Sequence, residues 1–125
     1  MSKAARIVIY GSAGELAHAA QLFQRCVHLS RCDIRCADSW SGLQQELTQE
    51  PPALLVVLAD GAAGMEGVFL ARQMVPELPV LWFSDDSQFG MQSHRLDCSY
   101  FSTKPMTDDK LHRALLHCEK LGIRL

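Results

Sequence analysis

A single carboxylate stands where a parallel sheet would place its chemistry. The run from Leu54 to Gly67 reads Leu-Leu-Val-Val-Leu-Ala-Asp-Gly-Ala-Ala-Gly-Met-Glu-Gly, five aliphatic residues behind Pro51-Pro52 followed by small residues and glycines. An apolar run this short, bounded by breakers and lacking period-2 alternation, predicts a strand buried on both faces. The chain must turn sharply after Leu58, and open parallel sheets bind ligands at the carboxyl ends of their strands. The residues available there are Ala59 and Asp60, a methyl group and one oxygen ligand or nucleophile. A second loop, Gly11-Ser12-Ala13-Gly14, could cradle a phosphate on a helix amino terminus. It matches neither the dinucleotide-binding glycine pattern nor the P-loop, and small residues for a tight turn account for it. Cys26, His28, Cys32 and Cys36 lie close in sequence, yet they divide between the end of a helix and a strand, in no zinc spacing. No Ser/His/Asp set or carboxylate pair converges on one cleft, and His112 and His117 read as solvated helix residues. The expectation is a chain that is not an enzyme and needs no cofactor or metal.

The elements that must position these residues follow from apolar periodicity. Strands are expected at Arg6 to Tyr10, Cys32 to Ala37, Leu54 to Leu58, Pro79 to Phe83 and Ser99 to Ser102. In the second of them, Cys32, Ile34 and Cys36 alternate with Asp33 and Arg35, as in a half-exposed edge strand. Helices are expected at Glu15 to His28, from Ser39-Trp40 to about Thr48, at Met65 to Val75, weakly at Ser87 to Asp97 across Gly90, and at Asp108 to Lys120. In the last helix Leu111, Ala114, Leu115 and Cys118 share one face. Strands alternating with helices through short connections predict a three-layer α/β/α sandwich around a five-stranded parallel sheet of order 2-1-3-4-5, the flavodoxin-like arrangement.

Composition narrows the partners. The 125 residues suit one domain, and 48% hydrophobic with 21% charged residues is ordinary for a folded chain. A net charge of −2 without any basic run argues against a nucleic-acid surface. No apolar stretch has the length of a membrane span, and the start Met1-Ser2-Lys3-Ala4-Ala5-Arg6 leads into too few apolar residues for a signal peptide. Five cysteines without a Cys-x-x-Cys pair read as free thiols in a reducing cytosol.

Three motifs resemble the receiver (CheY-like) domain of bacterial response regulators, and the likeness spans almost the whole chain. Gly64-Met65-Glu66-Gly67 is similar to that family's Gly-Met-Asp-Gly loop after the third strand. Pro79-Val80-Leu81-Trp82-Phe83-Ser84 resembles its fourth strand, which ends in a hydroxyl residue. Tyr100-Phe101-Ser102-Thr103-Lys104-Pro105-Met106, followed by Leu111 and Ala114-Leu115, resembles its fifth strand, Lys-Pro turn and last helix. The resemblance implies an Asp phosphoryl acceptor after the third strand, an acidic pair after the first that holds Mg²⁺, and a hydroxyl and a lysine for the phosphoryl oxygens.

Carried onto this chain, the pattern breaks at its reactive positions. Gly11 and Ser12 occupy the acidic pair, and counting back from Gly64-Met65-Glu66-Gly67 puts Ala59 at the acceptor, with Asp60 one residue beyond. Ser84, Lys104 and the aromatic Phe101 match. The resemblance thus implies a degenerate, phosphorylation-independent receiver, a protein-interaction or dimerisation module in signalling or transcription regulation. It stands alone or as the amino-terminal part of a larger regulator. Its partner would be another protein, an attached output domain or a second copy, met on the face of the fourth helix, fifth strand and fifth helix through Tyr100, Phe101, Met106 and Leu111. Two alternatives stay open: a sensor of a small anion in the vacated acidic pocket, and an atypical phospho-receiver using Asp60. Without an acceptor, Lys104 is expected to pair with Asp60 or Asp85, and Ser84 to cap the turn after its strand.

Overall fold

The computed structural model describes residues 4–125; Met1 to Lys3, the start of the amino-terminal stretch read above, lie outside the described residues. Five parallel strands, β1 (Arg6–Tyr10), β2 (Asp33–Ala37), β3 (Leu54–Val57), β4 (Val80–Ser84) and β5 (Tyr100–Thr103), form one sheet. Their order is β2-β1-β3-β4-β5, as expected. Between them run α1 (Ala13–Arg25), α2 (Trp40–Gln49), α3 (Gly61–Met74) and α4 (Phe89–Arg95), and α5 (Asp108–Lys120) closes the chain.

The central strands are apolar throughout because both faces are covered. Every residue of β1 after Arg6, and all of β3 and β4, is buried. On one side Ile7, Ile9, Leu54, Val56, Leu81 and Phe83 pack with Leu22 and Phe23 of α1 and Leu111, Ala114 and Cys118 of α5. On the other, Val8, Leu55, Val57, Val80 and Trp82 pack with Leu43 and Leu47 of α2 and Val68, Leu70 and Ala71 of α3. Each Val, Leu, Ile or Phe among them contributes about 1.5–3 kcal/mol when removed from water, before the entropy of ordering it.

The ends of the elements follow local chemistry. Ser12 caps α1 reciprocally: its hydroxyl accepts from the Glu15 N–H while the Glu15 carboxylate accepts from the Ser12 N–H. Ser39 and Thr107 cap α2 and α5 in the simpler way. Four expectations need correction. The first helix stops at Arg25, and Val27–Leu29 form a separate 3₁₀ turn. The third helix begins at Gly61, four residues before Met65, because the small residues that read as a loop also fit a helix packed tightly on the sheet. The fourth helix is a trimmed Phe89–Arg95. Met106 and Leu111, expected on an outer face, are each 2% exposed and belong to the core. For Leu111 the helical spacing that aligned it with Ala114, Leu115 and Cys118 prevailed over the resemblance.

Candidate functional site

At the carboxyl end of the sheet, four loops converge. The turn after β1 supplies Gly11 and Ser12, and the turn after β3 supplies Leu58, Ala59 and Asp60. The turn after β4 supplies Asp85 and Asp86, and that after β5 supplies Lys104 and the cis Lys104–Pro105 bond. The turn after β3 depends on two glycines. Gly61 sits at φ +56°, a left-handed conformation that costs a residue with a Cβ about 1–2 kcal/mol. A Cβ on Gly64 would lie 2.3 Å from the Ala59 carbonyl oxygen, so the first turn of α3 presses against the end of the strand only because that side chain is missing.

That arrangement aims one cation at two carboxylates. The Lys104 ammonium donates to Glu15 on α1 and to Asp60 at the start of α3. Of the two partners the sequence offers, Asp60 and Asp85, the structure takes Asp60; the pairing with Glu15, 89 residues away in sequence, is not among the expectations. The sequence marks Glu15 only as the start of the first helix, and a side chain that both caps α1 and reaches Lys104 is invisible to local pattern. Asp85 does not pair with Lys104. It accepts the Gly61 N–H at 3.1 Å and so ties the β4 loop to the start of α3.

The two half-buried partners perturb one another. Burial pushes the Glu15 carboxyl up, but the Lys104 ammonium and the Ser12 N–H and hydroxyl outweigh it and hold the group below its ordinary value. Burial pulls Lys104 down, and its bonds to Asp60 and Glu15 reverse that and raise it. Both groups are therefore charged across the neutral range.

The remaining expected residues fall as follows. Ser84 is buried and its hydroxyl accepts the Asp86 N–H at 3.1 Å, the turn-capping role read from the sequence. Gly11 is buried against Glu15 and Leu58, and the Ser12 hydroxyl is committed to its helix. Ala59 is buried at the end of β3. Tyr10, Gly11, Ser12, Glu15, Asp38 and Asp60 line a mouth of about 280 Å³. Asp38, which follows β2, went unremarked in the sequence because nothing local sets it apart. On the β5 side Phe101 is half-buried with its ring edge-on to Trp82 at 5.6 Å, and Tyr100 lies 6.2 Å from Phe83. Cys26, His28, Cys32 and Cys36 do not converge: among the described residues no group of three or more His, Cys, Asp or Glu side chains is placed to hold a metal. Among them, too, no helix is long and apolar enough to cross a membrane.

No family model matches this chain, and no curated protein matches it by sequence. Solved structures match it by shape. A CheY-like receiver domain from Methanospirillum hungatei superposes with a TM-score of 0.76 over 96% of this chain and 95% of its own, at 16% identity. The amino-terminal receiver domain of a two-component response regulator from Bacteroides fragilis gives 0.72 over 91% and 95%, at 22% identity. A CpaE2 pilus assembly protein from Sinorhizobium meliloti gives 0.70 over 90% and 98%, at 16% identity. The chain has the receiver fold.

Proposed function

We propose that this domain is a receiver-like signalling module that works through protein binding and without phosphoryl transfer. One observation carries the reading: Lys104, the cation that the resemblance assigns to phosphoryl oxygens, is neutralised by Glu15 and Asp60. Phosphoryl transfer needs an in-line oxygen nucleophile, a divalent cation and donors free to meet the equatorial oxygens. Here a methyl group, Ala59, ends the strand where the acceptor is implied. Ser12 and Gly11 bring no carboxylate, and the ammonium lies between the two carboxylates that a metal ion would have to share. The anion-sensor alternative is disfavoured by charge, since Glu15, Asp38 and Asp60 line the mouth and its cation is already paired.

The partner is a separate protein or an output domain of a longer chain, and the five free thiols support a reducing compartment. Treatment with acetyl phosphate and Mg²⁺, read by intact mass, tests the proposal. The mass is expected to stay unchanged, and beryllofluoride with Mg²⁺ to leave the light-scattering mass unaltered. A phosphoryl adduct that disappears in Asp60→Asn would overturn it.

A further inference from the structure

We infer that the groove between α2 and α3 docks a basic amphipathic helix of a partner protein. The inference rests on the protein-binding reading above and deepens it by naming the surface and the chemistry of its partner. Helix α3 is apolar nearly all round: Val68, Leu70 and Ala71 are buried against the sheet, yet the intervening Phe69 is 50% exposed. A helix of that kind is expected to be covered on both sides. Across from Phe69 stands Trp40, the first residue of α2, 47% exposed. Together with Met65, Glu66, Leu70 and Gln73 they line a groove of about 360 Å³. Large aromatic side chains left exposed beside one another mark interaction surfaces, because they supply most of the binding energy when covered.

The charge at the rim selects the occupant. Glu66 lines the groove and Asp38 lies two residues before Trp40 in the adjoining mouth; both are exposed. Among the described residues neither forms an ion pair. Cations on neighbouring elements are engaged elsewhere: Arg35 of β2 pairs with Asp33. Lys104 holds Glu15 and Asp60, and the Arg72 guanidinium donates to the carbonyls of Pro76, Leu96 and Asp97. The groove is thus an apolar floor with an uncompensated negative rim. A second copy meeting it there would bring the same acids against themselves, which is costly. A helix with apolar anchors at i, i+3 and i+4 and Lys or Arg beside them meets both requirements.

A synthetic amphipathic helix of Leu and Lys, and its twin with Glu for every Lys, serve as probes, with tryptophan emission as the readout. Trp82 is fully buried, so a change on binding reports Trp40. The Leu/Lys peptide is expected to bind saturably and shift the emission to the blue, and the Leu/Glu peptide to do neither. Phe69→Ser, and separately the pair Asp38→Lys with Glu66→Lys, are each expected to weaken the Leu/Lys complex about tenfold or more. The charge-reversed pair should also gain the Leu/Glu peptide. Equal binding of both peptides, unchanged binding in both variants, or a dimer whose assembly buries Trp40 would overturn the inference. The assay contains no phosphoryl donor. Failure of peptide binding in a chain whose mass acetyl phosphate leaves unchanged therefore sinks this inference alone, whereas an Asp60 adduct sinks the proposed function whatever the peptides do.

Discussion

The mouth at the carboxyl end of the sheet and the groove between α2 and α3 lie side by side and are finished in opposite ways. At the mouth, polar groups satisfy one another: Lys104 with Glu15 and Asp60, Asp85 with the Gly61 amide, Ser84 with the Asp86 amide. In the groove, Trp40 and Phe69 leave apolar surface in water, and Glu66 faces it without an ion-pair partner, as does Asp38 on the side of the mouth nearest Trp40. A ligand entering the mouth must displace internal partners, so much of its binding free energy is cancelled. A ligand entering the groove displaces only water. The difference teaches that the end of a sheet where such folds place their ligands can be closed by its own side chains while a neighbouring face is left uncovered.

Substitutions can break or sharpen this contrast. The largest effect belongs to the interior: Leu111→Ala is expected to cost about 2–5 kcal/mol in urea denaturation, because a 2% exposed leucine leaves a cavity. A cost near zero would return Leu111 to the outer face.

Next comes Lys104→Met, which keeps the apolar stem and removes the charge. It is expected to cost about 1–2 kcal/mol, mostly through Glu15, since the side chain of Asp60 is 59% exposed and screened. The effect is pH-dependent in a stated direction. Glu15 titrates below its ordinary value of 4.5 when folded, so its contribution is complete above that value and is lost as the pH falls through the lower folded one. Lys104 titrates above 10.5 when folded, so its contribution is complete below that value and fades as the pH rises through the higher one. The gap in melting temperature between wild type and Lys104→Met should therefore be full between those limits and close in acid. A gap that does not shrink at all as the pH falls below 4.5 toward the acid unfolding limit would show that the triad does not hold the mouth together.

The smallest effect is expected in the groove, where Phe69→Ala should change stability by no more than about 1 kcal/mol in the same denaturation assay. A loss comparable to that of Leu111→Ala would mean that Phe69 supports the fold and leaves nothing for a partner.

What local pattern could settle, it settled. The five strands follow from apolar runs too short for helices, and their order is the flavodoxin-like default for five strands alternating with helices. The capping role of Ser84 acts over two residues and is legible for that reason. Pairing of Lys104 with Asp60 or Asp85 is legible because all three follow strands that end at the same edge, but which of the two acids it meets is not.

The tertiary structure alone decided three things. It brought Glu15 to Lys104, a pairing that depends on how α1 leans against the β5 loop and that no window of sequence contains. It turned Met106 inward, a residue of the loop between β5 and α5 whose side no helical or strand period fixes. It also set Trp40 beside Phe69: helical period tells which residues share a face, but only the distance between two packed helices tells whether that face is covered.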